Sequence, residues 1–484
     1  VITTVAIFIP LLGALLVALL PDERRIIQPV ALGVAAVPLA LVLYIYVAFG
    51  SNLDAPALSQ SYTWIESLGI GYRVGLDGLG FGMFFLAAFL TLIAVIAAWD
   101  VQRNLKQYYA ILFLAEVGML GVFAAQDLIL FYVFFELTLI PMYLLVGMWG
   151  DENRRPAAIK FFIYTFLGST IMLGGFLTLG ILAGTFALEE LTGGGGLGRT
   201  AQILIAAPII FGLAVKVPVV PLHSWLPDVY LSSPISTNVV LSGVLPKLGT
   251  IGILKIAIPL LPQGVEPYLP YIAAFGALNI IYGAFAAFMQ TDLKALVAYS
   301  SIGTLGFILL GAASFNAMGL NGAVLQQVTH GLYSALLFIL VGIIAARTGT
   351  RRIADMGGLA LSMPWVGGLL ALGALAAMGL PGLAVFVSEV MSLLGGFDAH
   401  PVQGTVAALG VILSAMYFLY MLARTIFGPL RRPEWQGLRD AGPAEMAAIV
   451  PPAALLLILG IFPALLVNIQ RPAVELVLSV IGGG

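Results

Sequence analysis

Six titratable side chains stand inside otherwise apolar stretches of this 484-residue sequence: Glu116, Glu136, Lys216, Lys247, His330 and Glu389. Carboxyl, amine and imidazole are the groups that take up and release protons, and no nucleophile or metal-ligand spacing accompanies them here. At an insertion cost of about 2.5–3.5 kcal/mol per central charge, the five Glu and Lys residues would together cost about 12–18 kcal/mol if unpaired. That is comparable with the net stability of a whole protein. Each must pair, become neutral or meet water, and those are also the conditions of a proton path.

Their local settings differ. Glu136 lies at the centre of the apolar run 131–141, whereas Glu116, midway along the preceding run, suits a structural and a proton-handling role equally. Lys216 is followed by Pro218, Pro221 and Pro227. Each proline removes a backbone donor and clashes with the preceding turn, so the helix must break just beyond the lysine. A second break is expected at Gly379, Pro381 and Gly382, with Glu389 following. Paired broken helices point to a transport site built from inverted repeats. Lys247, next to Pro246, is expected between the two halves, and His330 suits a relay because its ordinary pKa is near neutral. Lys255 reads as a snorkelling side chain at a helix end, and His223 as either a cap or a proton group.

The elements that position these groups follow from composition. Apolar residues make up 61% of the chain and charged residues 9%, against roughly 45–50% and about 25% in a soluble domain, which rules that class out. The formal charge of -2 leaves no basic surplus for nucleic acid, and the absence of cysteine removes iron–sulfur clusters, thiolate chemistry and disulfides. His223, His330 and His400 are too dispersed for a compact metal site. No phosphate-binding, dinucleotide-binding or hydrolase-triad pattern is present, and the glycines at 193–196 read as a flexible loop. No metal and no cofactor on this chain are expected.

A bilayer crossing needs about 20 apolar residues, and fourteen stretches qualify. They are 1–20, 26–49, 76–99, 109–125, 128–149, 157–182, 201–220, 239–260, 271–289, 295–313, 323–346, 364–394, 403–427 and 446–469. The first reads as a true span rather than a cleaved signal. The fold class is therefore an all-α polytopic membrane protein of about 14 transmembrane helices. Helices 4–8 and 9–13 form two inverted five-helix repeats, the fourth helix of each being broken. The corresponding divisions are 1–107, a three-helix segment; 108–262 and 263–428, the repeats; and 429–484, helix 14. Polar segments 51–73 and 188–200 are too short for a soluble domain. Loops after odd-numbered helices, with their flanks, carry fifteen of the 21 Lys and Arg residues, whereas Arg73, Arg199, Lys255 and Arg471 go with the opposite side. This asymmetry places both termini outside.

The runs 131–149 around Glu136, 216–228 (Lys-Val-Pro-Val-Val-Pro-Leu-His-Ser-Trp-Leu-Pro-Asp), Lys247, 290–301 (Gln-Thr-Asp-Leu-Lys-Ala-Leu-Val-Ala-Tyr-Ser-Ser) and 330–332 (His-Gly-Leu) carry a resemblance. Together they resemble the antiporter-like membrane subunits of respiratory complex I, over essentially the whole chain. Glu389 in the broken twelfth helix, where sister types have lysine, resembles the M-type branch. The resemblance implies a non-redox, proton-translocating subunit of NADH-quinone oxidoreductase in a prokaryotic plasma membrane, partnered in the membrane arm by sister chains L and N. It implies that Glu136 pairs with Lys216, that Lys247 links two half-channels and that Glu389 serves the outlet. The sequence departs from the family in having Gly303-Thr304 where a tenth-helix histidine is usual, and Pro246 before the central lysine. A polar, hydrated seam is therefore expected near the midplane, with His330 as its imidazole and Thr304 facing it. Related complexes, a multisubunit Na+/H+ antiporter or a membrane-bound hydrogenase, share this pattern, and an autonomous secondary carrier is the reading from another class.

The orientation is testable directly. A reporter fused after Gly484 is expected to be active only on the outer, positive side of the membrane; activity in the cytoplasm would mean that the crossings are miscounted.

Overall fold

The computed structural model describes residues 1–50, 52–53 and 58–482. Among the described residues, thirteen helices are long and apolar enough to cross a membrane. In chain order they begin with α1 (Ile2–Leu19), α2 (Arg24–Phe49), α3 (Gly78–Ile96), α4 (Leu105–Ala124), α5 (Leu128–Trp149) and α6 (Arg154–Ala183). Next, α7 is split into α7a (Arg199–Lys216) and α7b (Trp225–Ser232). It is followed by α8 (Ile235–Leu260), α9 (Pro262–Phe288), α10 (Leu293–Ala313) and α11 (Ala317–Thr348). Then α12 is split into α12a (Pro364–Ala377) and α12b (Ala384–Ala399), and α13 (Pro401–Thr425) and α14 (Pro443–Ile461) complete the bundle. The two halves of α12 supply the fourteenth crossing, each being too short to cross alone.

Helix starts follow the capping chemistry of the sequence. Asp77 accepts from Gly80 N at 2.7 Å, Asp127 from Ile129 N and Leu130 N, Asp292 from Lys294 N and Ala295 N, and Asn316 from Gly319 N. Each satisfies donors that a helix start leaves without intrahelical partners. The crossings differ in burial more than in hydropathy. α8 is enclosed along its whole apolar window and α10 and α11 nearly so, whereas α1, α2 and α13 line the rim. Gly283 of α9 permits a close approach to α10: a methyl added there would lie 2.5 Å from Gly303 N.

Contacts between loops sort into two sets. Segments after odd-numbered helices meet one another: Arg103 donates to Met148 O, Asp151 N to Ser232 O, and Arg351 pairs with both Asp151 and Asp292. Segments after even-numbered helices meet likewise, as in Val74 with Ala125, Gly193 with Pro259 and Asn316 with Gly395. Residue 1 and the chain after α14 therefore share a side. Two of these contacts repeat one pattern. Leu128 N donates to Phe186 O while Leu188 N donates to Gln126 O, and Leu293 N donates to Arg351 O while Ile353 N donates to Thr291 O. In both, the residues flanking a capping aspartate bridge to the chain just after the next helix.

Several features differ from the sequence reading. The polar segment 51–73 contains a hairpin, β1 (Gln60–Ile65) antiparallel to β2 (Ile70–Val74), so the fold is not purely helical. Residues 51 and 54–57 of that segment, and Gly484, lie outside the described residues. The hairpin is pinned to the bundle by Asp127, which accepts from Gly71 N at 3.1 Å and pairs with Arg73 at 2.6 Å. The last apolar stretch, read as 446–469, instead ends at Ile461 before Pro463, and a further helix, α15 (Ala464–Gly482), follows. Proline removes the donor that would continue α14. α15 is not one of the candidate crossings. It lies across the start of α3, with Ile469 O beside Gly78, and Gln470 donates to Asn321 O of α11.

Asp127 thus caps α5 and holds the hairpin. Asp127→Ala should cost about 0.5–2 kcal/mol from the cap alone and more from leaving Arg73 without its partner. Faster proteolytic cutting between residues 50 and 75 in intact membranes is the expected readout; an unchanged rate would show that the hairpin is held elsewhere.

Candidate functional site

The two helix breaks and a third disturbance in α8 create the site. Beyond Lys216 the prolines unwind the chain at 217–224, and the backbone groups this frees are met by side chains. Asn279 of α9 accepts from Val220 N at 2.8 Å and donates to Pro218 O at 3.3 Å, while the Trp225 indole donates to Val215 O at 3.0 Å. Non-helical backbone at membrane depth persists only where such partners exist. Asn279 was not singled out from sequence, although one buried amide in an apolar helix was the available signal.

Lys216, 2% exposed, directs its ammonium over the Phe135 ring at 4.9 Å and the Phe161 ring at 5.6 Å. Glu136 belongs to the same neighbourhood, with Lys216 and Ser169 as its polar neighbours. The direct pairing expected of Glu136 and Lys216 is not observed among the described residues. Cation–π contact with aromatic faces holds the ammonium instead.

In α8, Pro246 has no N–H for the carbonyl of Ser242, four residues earlier. The helix breaks after Gly243, and the Lys247 ammonium donates to that same Ser242 O at 2.7 Å. The departure noted at Pro246 thus supplies the partner for the buried lysine. One turn on, Thr250 donates to Gln327 Oε1 of α11 at 2.7 Å. Lys247 is also an electrostatic neighbour of His330.

His330 is fully buried, and neither ring nitrogen finds a hydrogen-bond partner among the described residues. Its ring stands perpendicular to Tyr333, one turn along α11, with centroids 5.1 Å apart. The Tyr333 hydroxyl lies 2.5 Å from Thr304 Oγ1, so Thr304 faces the polar interior as expected. Ser300, one turn before Thr304, donates to Val297 O at 2.8 Å and has the Tyr417 hydroxyl of α13 as a polar neighbour. Glu389 is an electrostatic neighbour of both tyrosines and lies beside Gln326. Gln326 in turn accepts from Ser388, which also bonds Thr329 at 2.9 Å. Gly379, at φ +72°, gives Glu389 its room: a methyl there would lie 2.8 Å from Glu389 Oε2. Sequence reasoning missed Tyr333 and Tyr417. The i, i+3 relation of Tyr333 to His330 could have found the first, because it places both on one helix face; nothing local marks the second.

The remaining candidates separate from this series. Glu116 is fully buried and both its carboxyl oxygens lack hydrogen-bond partners among the described residues. Lys255 does not snorkel. It is buried in a π-helical turn of α8, pairs with Asp77 at 2.7 Å and donates to Phe123 O, because this turn aims it between α3 and α4. Lys294, counted from sequence as a loop charge, is buried and caps α7b by donating to Leu231 O and Ser233 O. His223 bonds the Tyr282 hydroxyl at 2.9 Å, and His400 bonds Ala313 O. No group of three or more His, Asp and Glu among the described residues could hold a metal ion.

Comparison with known proteins agrees with this architecture. Residues 125–416 match the family described as NADH:quinone oxidoreductase/Mrp antiporter, transmembrane. The chain is 35% identical to NADH-quinone oxidoreductase subunit M of Rickettsia felis, with 98% of each chain covered. It is 38% identical to NAD(P)H-quinone oxidoreductase chain 4 of Picosynechococcus sp., over 96% of this chain and 89% of the relative. Among solved structures, a chain of respiratory complex I from Thermus thermophilus superposes with a TM-score of 0.91 at 30% identity, covering 99% of this chain and all of that one. A chain of the Mrp complex from Dietzia sp. shares the fold, with a TM-score of 0.87 at 22% identity and 99% of each chain covered. The family match over more than half of the chain and the near full-length relatives lead to one conclusion: this chain is a member of the NADH:quinone oxidoreductase/Mrp antiporter transmembrane family.

Proposed function

We propose that this chain is the M-type proton-translocating membrane subunit of an NADH-quinone oxidoreductase. It works beside sister chains L and N and carries no redox centre or cofactor of its own. The observation that carries the reading is the set of titratable groups at Glu136, Lys216, Lys247, His330 and Glu389, all but the half-buried Glu136 enclosed in the bundle. A substrate carrier needs a pocket, whereas these groups are distributed across five helices. Their chemistry suits protons handed from one group to the next.

The mechanism follows from two lysines held differently. Lys216 sits on aromatic faces within electrostatic reach of Glu136, so an ionised Glu136 stabilises the ammonium; when that interaction weakens, Lys216 releases its proton toward Lys247. Lys247 holds a proton against the Ser242 carbonyl and passes it toward His330 and Glu389. Glu116, buried with neither carboxyl oxygen hydrogen-bonded among the described residues, is a further proton-path candidate. The matching bridges around Asp127 and Asp292 support two five-helix repeats, 108–262 and 263–428. An odd number of crossings separates the copies, so they are inverted. The N-terminal segment 1–107 packs beside them, and 429–484 holds α14 and α15. With the basic side facing inward, residue 1 and α15 lie on the outer side of a prokaryotic plasma membrane.

Glu136→Gln or Lys216→Ala should abolish proton pumping and strongly reduce coupled quinone reduction while the complex still assembles. Loss of assembly would make the two residues architectural, and normal pumping would refute the mechanism. Pro246→Leu should re-form the α8 turn by returning an N–H to Ser242 O, depriving Lys247 of its partner. Slower pumping with unchanged assembly is expected, and an unchanged rate would show that the Ser242 contact is incidental.

A further inference from the structure

The proposed path has a gap between His330 and Glu389, on different helices and with no direct bond between them. Four hydroxyls fill this region. Thr304 and Ser300 stand one turn apart on α10: Thr304 Oγ1 meets Tyr333 Oη at 2.5 Å, and Ser300, which donates to Val297 O, has the Tyr417 hydroxyl as a polar neighbour. Tyr333 packs its ring edge-to-face with His330 at one end of the gap and neighbours Glu389 at the other. Its ring and hydroxyl are fully buried.

The hydrogen-bond inventory gives the Thr304–Tyr333 pair two settings. Thr304 has one proton to donate and lies 3.2 Å from the Ser300 carbonyl, which can only accept. When Thr304 donates there, the Tyr333 hydroxyl must donate to Thr304. When Thr304 turns its proton to Tyr333, the phenol is free to donate onward. The ring nitrogens of His330 and Oγ of Ser334 and Ser392, all buried without protein partners among the described residues, are polar groups of the kind that hold buried water.

Resting on the proton-translocating reading above, we propose that Tyr333 and Thr304 form the hydroxyl relay by which a proton crosses between His330 and Glu389. A proton leaving protonated His330 through a bridging water is accepted at a lone pair of Tyr333 Oη as the phenol gives its own proton to Thr304 Oγ1. Thr304, its own proton turned from the Ser300 carbonyl toward water beside Ser300, Tyr417 and Glu389, releases that proton to the water, and the Glu389 carboxylate takes it up. Each oxygen gains one proton and loses one, so no charge remains on the relay and no oxidant or reductant is needed. Rotation of the Thr304 hydroxyl back to the Ser300 carbonyl and of the Tyr333 hydroxyl back to Thr304 resets the pair.

The test uses the assembled complex in sealed inverted vesicles, measuring proton translocation per electron delivered to quinone. Tyr333→Phe keeps the ring against His330 but removes the relay oxygen, and should lower the translocation rate at least about tenfold. Thr304→Val should slow it more mildly, because water can still reach Tyr333. Thr304→His in the Tyr333→Phe background should restore most of the rate by placing an imidazole in the gap, a rescue that lost packing would not show. Replacing Tyr333 with 3,5-difluorotyrosine keeps the shape while acidifying the phenol, and should move the alkaline limb of the pH profile to lower pH. Normal pumping in Tyr333→Phe, absence of rescue or an unmoved pH profile would each overturn the relay. Glu389→Gln separates the two levels: if it abolishes pumping while Tyr333→Phe does not, the relay alone fails, and if both pump normally the function proposed above fails as well.

Discussion

Hydrocarbon offers no hydrogen bonds, so every backbone or side-chain polar group placed in it must find a partner within the protein or lose several kcal/mol. The three helix disturbances expose this constraint and show how it is met. Prolines after Lys216 free carbonyls and amides, which Asn279 and Trp225 take up. Pro246 frees one carbonyl, and Lys247 takes it. Glycines at the α12 break let the chain turn close to Glu389. Interrupting a membrane helix thus makes a new polar partner available at a chosen depth, and Lys247 stands where one appears.

The same constraint explains the ordering of the interior. α8, α10 and α11 are the most enclosed crossings, and they carry Lys247, Thr304 and His330. Peripheral crossings such as α1 and α13 contribute mainly apolar surface, although Tyr417 reaches inward from α13. Charges outside this series are neutralised locally. Lys255 meets Asp77, Lys294 meets the end of α7b, and Arg73 meets Asp127. Such bonds lock cations in place, whereas Lys216 rests on aromatic rings that attract it without accepting a proton.

A protein that moves protons also needs a path that is not permanently connected. Between His330 and Glu389 the hydroxyl pairs of α10 with Tyr333 and Tyr417 provide donors whose orientation can reverse without moving a helix. Elsewhere the fold is tightly constrained, as in the contact of Gly283 with Gly303. Small reversible rotations inside a rigid bundle fit proton transfer better than large backbone motion, because each transfer needs oxygen and nitrogen atoms held about one hydrogen bond apart.

From the sequence alone came the fourteen crossings, the two broken helices and the positions of the six intramembrane titratable groups. The reason is that apolar length and proline are local properties, and a bilayer imposes the same demand on every crossing. Thr304 facing inward was also legible, because a polar group in hydrocarbon seeks the interior. What each group touches was not. Lys216 lies on Phe135 and Phe161 rather than directly on Glu136, Lys255 turns inward through a π-helical turn, and Tyr417 arrives from a helix distant in sequence. These outcomes depend on how helices rotate and pack against one another, and neither rotation nor packing is encoded in hydropathy. The hairpin at 60–74 and the placement of α15 against the bundle were likewise decided by tertiary contacts: Asp127 holds the one, and Gln470 joins the other to α11. Short segments of this kind bury too little surface to form alone, so only the assembled bundle gives them a structure.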